Sequence, residues 1–153
     1  MEITTPRYII VSFLHGNPPA SFGKSMWPLH ATIVRPFYLS ADPVGIIREL
    51  EKLCKGKPEV SSKGIRRSMF GERNDIPVTE IELVTGLDVL HKQLTNIVQT
   101  WTDTVDKSFP VYSPHVSDQD SGSLRLGVEV TIDSVSLVRM DTDERVVLST
   151  VRF

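Results

Sequence analysis

Leu29-His30-Ala31-Thr32-Ile33-Val34 is the stretch that decides how this chain is read. It is short, apolar and rich in β-branched residues, which marks a strand. Side chains at i and i+2 of a strand share a face. His30 and Thr32 therefore project together, while Ala31 and Ile33 point the other way. An imidazole beside a hydroxyl can handle a phosphate or an acyl group. A second triplet of the same form, His115-Val116-Ser117, follows 85 positions later. Ser and Thr together number 27 of 153 residues, so one such triplet is common and its context must decide.

Outward from the first triplet, Tyr8 to Leu14 is a nearly continuous apolar run and reads as a buried strand. Residues 16–28 form a loop, and Leu29 to Arg35 is a strand stopped by Pro36. Asp42 and Pro43 start a helix that runs to about Lys55. Its buried stripe is Val44, Ile47, Leu50 and Cys54, flanked by Ile46 and Leu53, and Gly56 ends it. Glu59 to Phe70 is a strand broken near Gly64, and Pro77 to Val84 alternates as another. A second helix spans about Leu87 to Trp101 on the stripe Leu87, Leu90, Leu94, Ile97 and Trp101. Residues 102–109 are loop-like. Val111 to Ser117 is a strand interrupted by Pro114, and Leu124 to Ile132 is the next. The apolar phase flips at Ser134, which predicts a break or bulge. Arg145 to Phe153 is the last strand. Helices lying between strands in this order predict an α+β fold with helices packed on mostly antiparallel sheet.

Composition bounds the function. At 40% hydrophobic and 24% charged, the chain is an ordinary globular one. A net charge of −2 gives no whole-chain sign of nucleic-acid binding, a bulk DNA coater being usually more basic, but leaves room for a local basic patch or an enzyme acting on one terminus or one small nucleotide. Cys54 is the only cysteine, so neither an intrachain disulfide nor a multi-cysteine zinc site can form. The first apolar run is too short to span a bilayer or to act as a signal peptide. A soluble, cytoplasmic protein is expected, without a membrane partner.

Two histidines straddling a phosphodiester can act as base and acid, because the unperturbed imidazole titrates near neutrality. The two hydroxyls can donate to non-bridging phosphate oxygens. This chemistry requires no metal. Arg66 and Arg67, with Lys63 and Arg73 nearby, form the only basic cluster. They serve either phosphate or RNA contact or a charged edge strand, and one of the adjacent pair must face away from the other. Trp27 and Tyr112 flank the triplets and can either stack on nucleobases or fill core. Arg35 falls on the face opposite His30 if the pleat is regular. His15 reads as a solvated loop residue and His91 as a boundary residue of the second helix.

On these residues the chain resembles the 2H phosphoesterase superfamily, the LigT-like group of 2′-5′ RNA ligases and cyclic phosphodiesterases. The resemblance rests on Leu29-His30-Ala31-Thr32-Ile33 and on Tyr112-Ser113-Pro114-His115-Val116-Ser117, and it extends over nearly the whole chain. It implies a bilobal α+β fold of mostly antiparallel sheets, with two main helices packed outside and a central groove. Residues 1–153 would form one domain of two pseudo-symmetric lobes. It implies His30 and His115 as catalytic residues, Thr32 and Ser117 as phosphate-binding residues, and Arg66, Arg67, Tyr112 and Trp27 as possible substrate contacts. The implied reaction is metal-independent hydrolysis of a 2′,3′-cyclic phosphate or a related nucleotide or RNA-terminal phosphodiester, by a monomer with no cofactor. The same site could instead act on 2′-5′ oligonucleotides or cyclic dinucleotides, or as a 2′-5′ RNA ligase. A non-catalytic module that binds phosphate ends is the other alternative. One departure stands out. Asp118 occupies a position where the family carries an apolar residue, and it would bring negative charge toward a phosphate site.

Overall fold

The computed structural model describes residues 5–106 and 111–153. Among these described residues, nine strands and two helices follow in the order β1 (Arg7–Phe13), β2 (Ser21–Gly23), β3 (His30–Tyr38), α1 (Val44–Cys54), β4 (Val60–Phe70), β5 (Ile76–Ile81), α2 (Thr85–Gln99), β6 (His115–Ser117), β7 (Glu129–Ile132), β8 (Ser134–Met140) and β9 (Glu144–Arg152). The strands form one sheet in the order β2-β9-β8-β1-β3-β6-β5-β4-β7, and every pairing is antiparallel. This is the expected α+β architecture.

β1 is continuous in apolar residues because both of its faces are covered. Tyr8 and Ile10 join the main core, while Ile9, Val11 and Phe13 join a second cluster with Phe22 and Val138. Both helices contribute to the main core, α1 through Ile46, Leu50 and Cys54 and α2 through Leu87, Leu90, Leu94 and Val98. The stripes differ slightly from the expected ones. In α1, Ile46 is fully buried and Val44 is exposed. In α2, Val98 takes the place expected for Ile97. Trp101 lies past the helix end, where its indole packs on Gly45 of α1 and its Nε1 donates to the Glu49 carboxylate. Asp42 accepts the Val44 N–H at 2.9 Å, as its capping role predicts, and Gly56 takes the left-handed conformation with φ 85° just past α1.

Four expectations are corrected. The loop over 16–28 contains β2, whose three residues are too few to leave a periodic signal. β3 does not stop at Pro36 but runs to Tyr38. It accommodates the proline by two register shifts against β1: Tyr8 pairs Phe37, Ile10 pairs Val34 and Val11 pairs Thr32. Arg35 and Pro36 together oppose Ile9, and Ile33 is an extra residue between two pairs. A bulge needs no ladder hydrogen bond from the proline nitrogen. Leu124 to Ile132 is a strand only from Glu129, because Gly127 turns the chain at φ 77°. The strand expected from Val111 begins only at His115. Of the loop expected over 102–109, residues 107–109 lie outside those described.

Gly64 marks where β4 changes partner. Residues Val60 to Lys63 pair with β7 and residues from Gly64 onward pair with β5. A Cβ at this position would come within 2.9 Å of the Thr79 methyl and 3.0 Å of the Arg125 carbonyl oxygen. Glycine is the residue that fits. Among the described residues, no helix is long and apolar enough to cross a membrane.

Candidate active site

The two triplets meet at a narrow seam. β3 and β6 pair through Ala31 and Val116, both fully buried. The antiparallel register about that pair sets His30 opposite Ser117 and Thr32 opposite His115. All four side chains then share one sheet face, and Ala31 and Val116 point to the helix-covered face. Diagonal neighbours of such a ladder lie roughly 7–8 Å apart at Cα; of the four side chains, Thr32, His115 and Ser117 line the cleft over this face, and His30, under Trp27, does not.

Each histidine is oriented by the same local device. His30 Nδ1 lies 2.9 Å from the Pro28 carbonyl oxygen, and His115 Nδ1 lies 2.8 Å from the Ser113 carbonyl oxygen. A carbonyl can only accept, so Nδ1 carries the proton in both rings. Nε2 is then the basic nitrogen in each neutral imidazole. Trp27 packs on His30 with ring centroids 4.4 Å apart, and Phe70 packs edge-on against His115 at 4.6 Å. Trp27 is held there by Phe13 and Phe22 of the second cluster.

Electrostatics separate the two rings from free histidine. Burial lowers the pKa of His30. The Pro28 hydrogen bond partly offsets this, and the charge of His115 lowers it further. Burial also lowers His115, with the Ser113 bond and Glu80 opposing and Arg35 reinforcing. Glu80 is the β5 partner of His115 in the ladder. It accepts two bonds from Arg66, at 2.7 and 3.0 Å, and one from the Ser68 hydroxyl. The Arg66 and Ser68 bonds hold its pKa down at about 2. Glu80 is therefore ionised whenever His115 titrates, and its charge favours the imidazolium. Glu80→Gln removes that charge, so the His115 pKa is expected to fall further in the variant. An NMR titration of the His115 ring checks this, and an unchanged or raised midpoint would contradict the assigned contact.

A cleft of about 600 Å³ opens over this face. Thr32, His115, Ser117, Arg35 and Tyr112 line it, together with Phe70 of the β4–β5 hairpin. Tyr112 donates its hydroxyl to the Thr32 carbonyl at 2.8 Å and stacks on His91 of α2 at 3.8 Å. Its phenol is thus committed to holding β3. His91 in turn bonds the Ile33 carbonyl at 2.7 Å, a supporting role that its boundary position did not reveal.

The arginines divide as adjacent strand residues must. Arg66 shares the ladder row of Glu80 and His115 and is bound to Glu80. Arg67 pairs Thr79 on the opposite face, where it donates to Thr79 Oγ1 at 2.8 Å and to both Asp118 oxygens at 2.7 Å. Neither lines the cleft. The same ion pair answers the concern about Asp118: its carboxylate faces away from the triplets and is neutralised by Arg67.

The sequence reading puts Arg35 off this face on the condition of a regular pleat, and it does not single out Phe70. The extra residue Ile33 reverses the pleat, so Ile33 and Val34 are both fully buried and Arg35 emerges on the face of His30 and Thr32. Two consecutive buried apolar residues followed by Arg-Pro were the available signal. His15 is exposed on its loop. Among the described residues, no three His, Cys, Asp or Glu side chains cluster as a metal site would need.

No family profile and no curated protein matches the chain. Solved structures do match its fold. TT0787 of Thermus thermophilus is 14% identical, with 95% of this chain and 97% of that one covered at a TM-score of 0.64. E. coli LigT crystallised with 3′-AMP is 12% identical, covering 98% and 99% at 0.60. The same protein with phosphate is 13% identical, covering 97% and 98% at 0.62. The chain therefore has the LigT-like fold.

Proposed function

We propose that this chain is a 2H phosphoesterase that hydrolyses a 2′,3′-cyclic phosphate, or a related phosphodiester at a nucleotide or RNA end, without a metal or cofactor. The reading starts from the shared fold and rests on one observation. Two imidazoles, each with Nδ1 tied to the carbonyl two residues before it, converge with two hydroxyls on one sheet face. One Nε2 takes a proton from water as its oxygen attacks phosphorus. The other ring, as imidazolium, gives a proton to the departing ribose oxygen. Thr32 and Ser117 donate to the non-bridging oxygens as charge builds on them. The lowered pKa of both rings favours a neutral base near neutral pH. LigT crystallised with 3′-AMP, with phosphate, with ATP and with NADP+ lends support to a nucleotide or phosphate ligand here.

The test is turnover of 2′,3′-cyclic nucleotides, cyclic-ended RNA, 2′-5′-linked dinucleotides and cyclic dinucleotides, each with and without EDTA. Hydrolysis of a cyclic phosphate that survives the chelator is the expected result. Loss of turnover in EDTA overturns the metal-free mechanism, and preference for another member of the panel moves the substrate. Tight nucleotide binding with no turnover between pH 5 and 8 would instead make the chain a binding module for phosphate ends.

A further inference from the structure

The cleft holds one cation that the two-triplet pattern does not include. Arg35 reaches it only because β3 carries an extra residue at Ile33, which turns its side chain to the face of Thr32. One guanidinium nitrogen donates to the Val111 carbonyl at 2.9 Å and so fixes the fork at the cleft wall. No other Lys or Arg, and no Asp or Glu, is among the described residues lining the cleft. Arg66, which the sequence offered for this purpose, and Arg67 both lie outside the lining of the cleft. A planar, permanently charged fork beside two hydroxyls is suited to phosphate oxygens.

We propose that Arg35 is a further phosphate-binding residue of this cleft, contacting a non-bridging oxygen of the phosphodiester alongside Thr32 and Ser117. The inference rests on the phosphodiesterase reading above and deepens it. A diester carries one negative charge, and attack by water adds a second to the phosphoryl oxygens. A fixed cation there stabilises the transition state more than the ground state. The groups facing His115 are Arg35 and His30 from β3, Glu80 from β5 with Arg66 of β4 bound to it, and the Phe70 ring. Removing Arg35 takes away a charge that opposes the His115 imidazolium, so the midpoint of that ring should rise.

The experiment compares the full chain with Arg35→Gln, Arg35→Lys and, as a control on exposed Lys52 of α1, Lys52→Gln. Inorganic phosphate is titrated by NMR while the His115 ring is followed, and kcat and KM are measured on 2′,3′-cyclic AMP. Arg35→Gln should weaken phosphate binding at least tenfold, lower kcat/KM by about 10²-fold or more and raise the His115 midpoint. Arg35→Lys should fall between it and the parent, and Lys52→Gln should match the parent. Unchanged phosphate affinity in Arg35→Gln overturns the proposal, as does a parent chain that binds no phosphate. If Arg35→Gln does not fold, parent-like affinity in folded Arg35→Lys overturns it and a loss supports it. If the parent binds phosphate but hydrolyses no phosphodiester, the enzymatic reading fails alone, and the phosphate titration still decides Arg35.

Discussion

Alanine at His115 should reduce kcat/KM on a 2′,3′-cyclic phosphate, the proposed substrate, by about 10²–10⁴-fold, the span of a lost general acid or base. His30→Ala should do the same. The structural cost of the two differs. His115 contacts Phe70 and the Ser113 carbonyl beside an open cleft, so its removal should leave the fold near parental stability. His30 lies under Trp27, and its removal leaves the Pro28 carbonyl short of a donor, so a loss of about 1–3 kcal/mol is expected there. Circular dichroism and thermal melts separate the two effects. Full activity in either folded variant would end the two-histidine mechanism. The pH profile follows from the signs. The proposed mechanism needs one ring neutral and the other protonated, and both pKa values lie below the usual 6.5. The kcat/KM bell should therefore peak on the acid side of pH 6.5. It should fall at higher pH as the acid deprotonates, and at lower pH as the base takes up a proton. A maximum well above neutrality would mean that the burial of the two rings does not govern the reaction.

The largest expected loss of stability is at Phe37. Its side chain is fully buried in the main core, stacked on Tyr8 with centroids 5.9 Å apart, and the two residues pair directly across β1 and β3. Phe37 is the first paired residue beyond Arg35-Pro36, so it fastens the strand again after both bulges. Phe37→Ala removes a large buried ring and should cost about 3–5 kcal/mol, a large share of the 5–15 kcal/mol that holds an ordinary domain. Urea denaturation measures it, with the expected change in the midpoint rather than in the slope. A loss under about 1 kcal/mol would show that the end of β3 is anchored elsewhere. Because the ring fixes the segment that carries Arg35, a folded Phe37→Ala protein should also bind phosphate more weakly.

Short-range signals made much of this molecule legible in the sequence. Both helices follow from apolar spacing and from Asp42, Pro43 and Gly56, and the break before Ser134 follows from the change of phase. The two triplets show their shared face because strand alternation is strictly local. What was hidden depends on partners distant in the chain. Three residues at 21–23 form β2 only because β9 offers an edge. Asp118 looked like an intruder until Arg67, 51 positions away, was seen to neutralise it on the other face. Arg35 falls on the far face only if the pleat is regular, and a pleat is only as regular as the register of the neighbouring strand. The core choice between Ile97 and Val98 lay within one helical step and was settled by where α2 meets β3.

The bond from each imidazole to the carbonyl two residues upstream has a consequence for anyone building such a site from scratch. Tautomer and ring direction are both set within the short peptide that bears the histidine, Pro28 to His30 in one case and Ser113 to His115 in the other. Neither depends on a distant carboxylate. Each peptide is thus a portable cassette, and a designer who grafts two of them onto new strands has one remaining quantity to control: the offset between the strands.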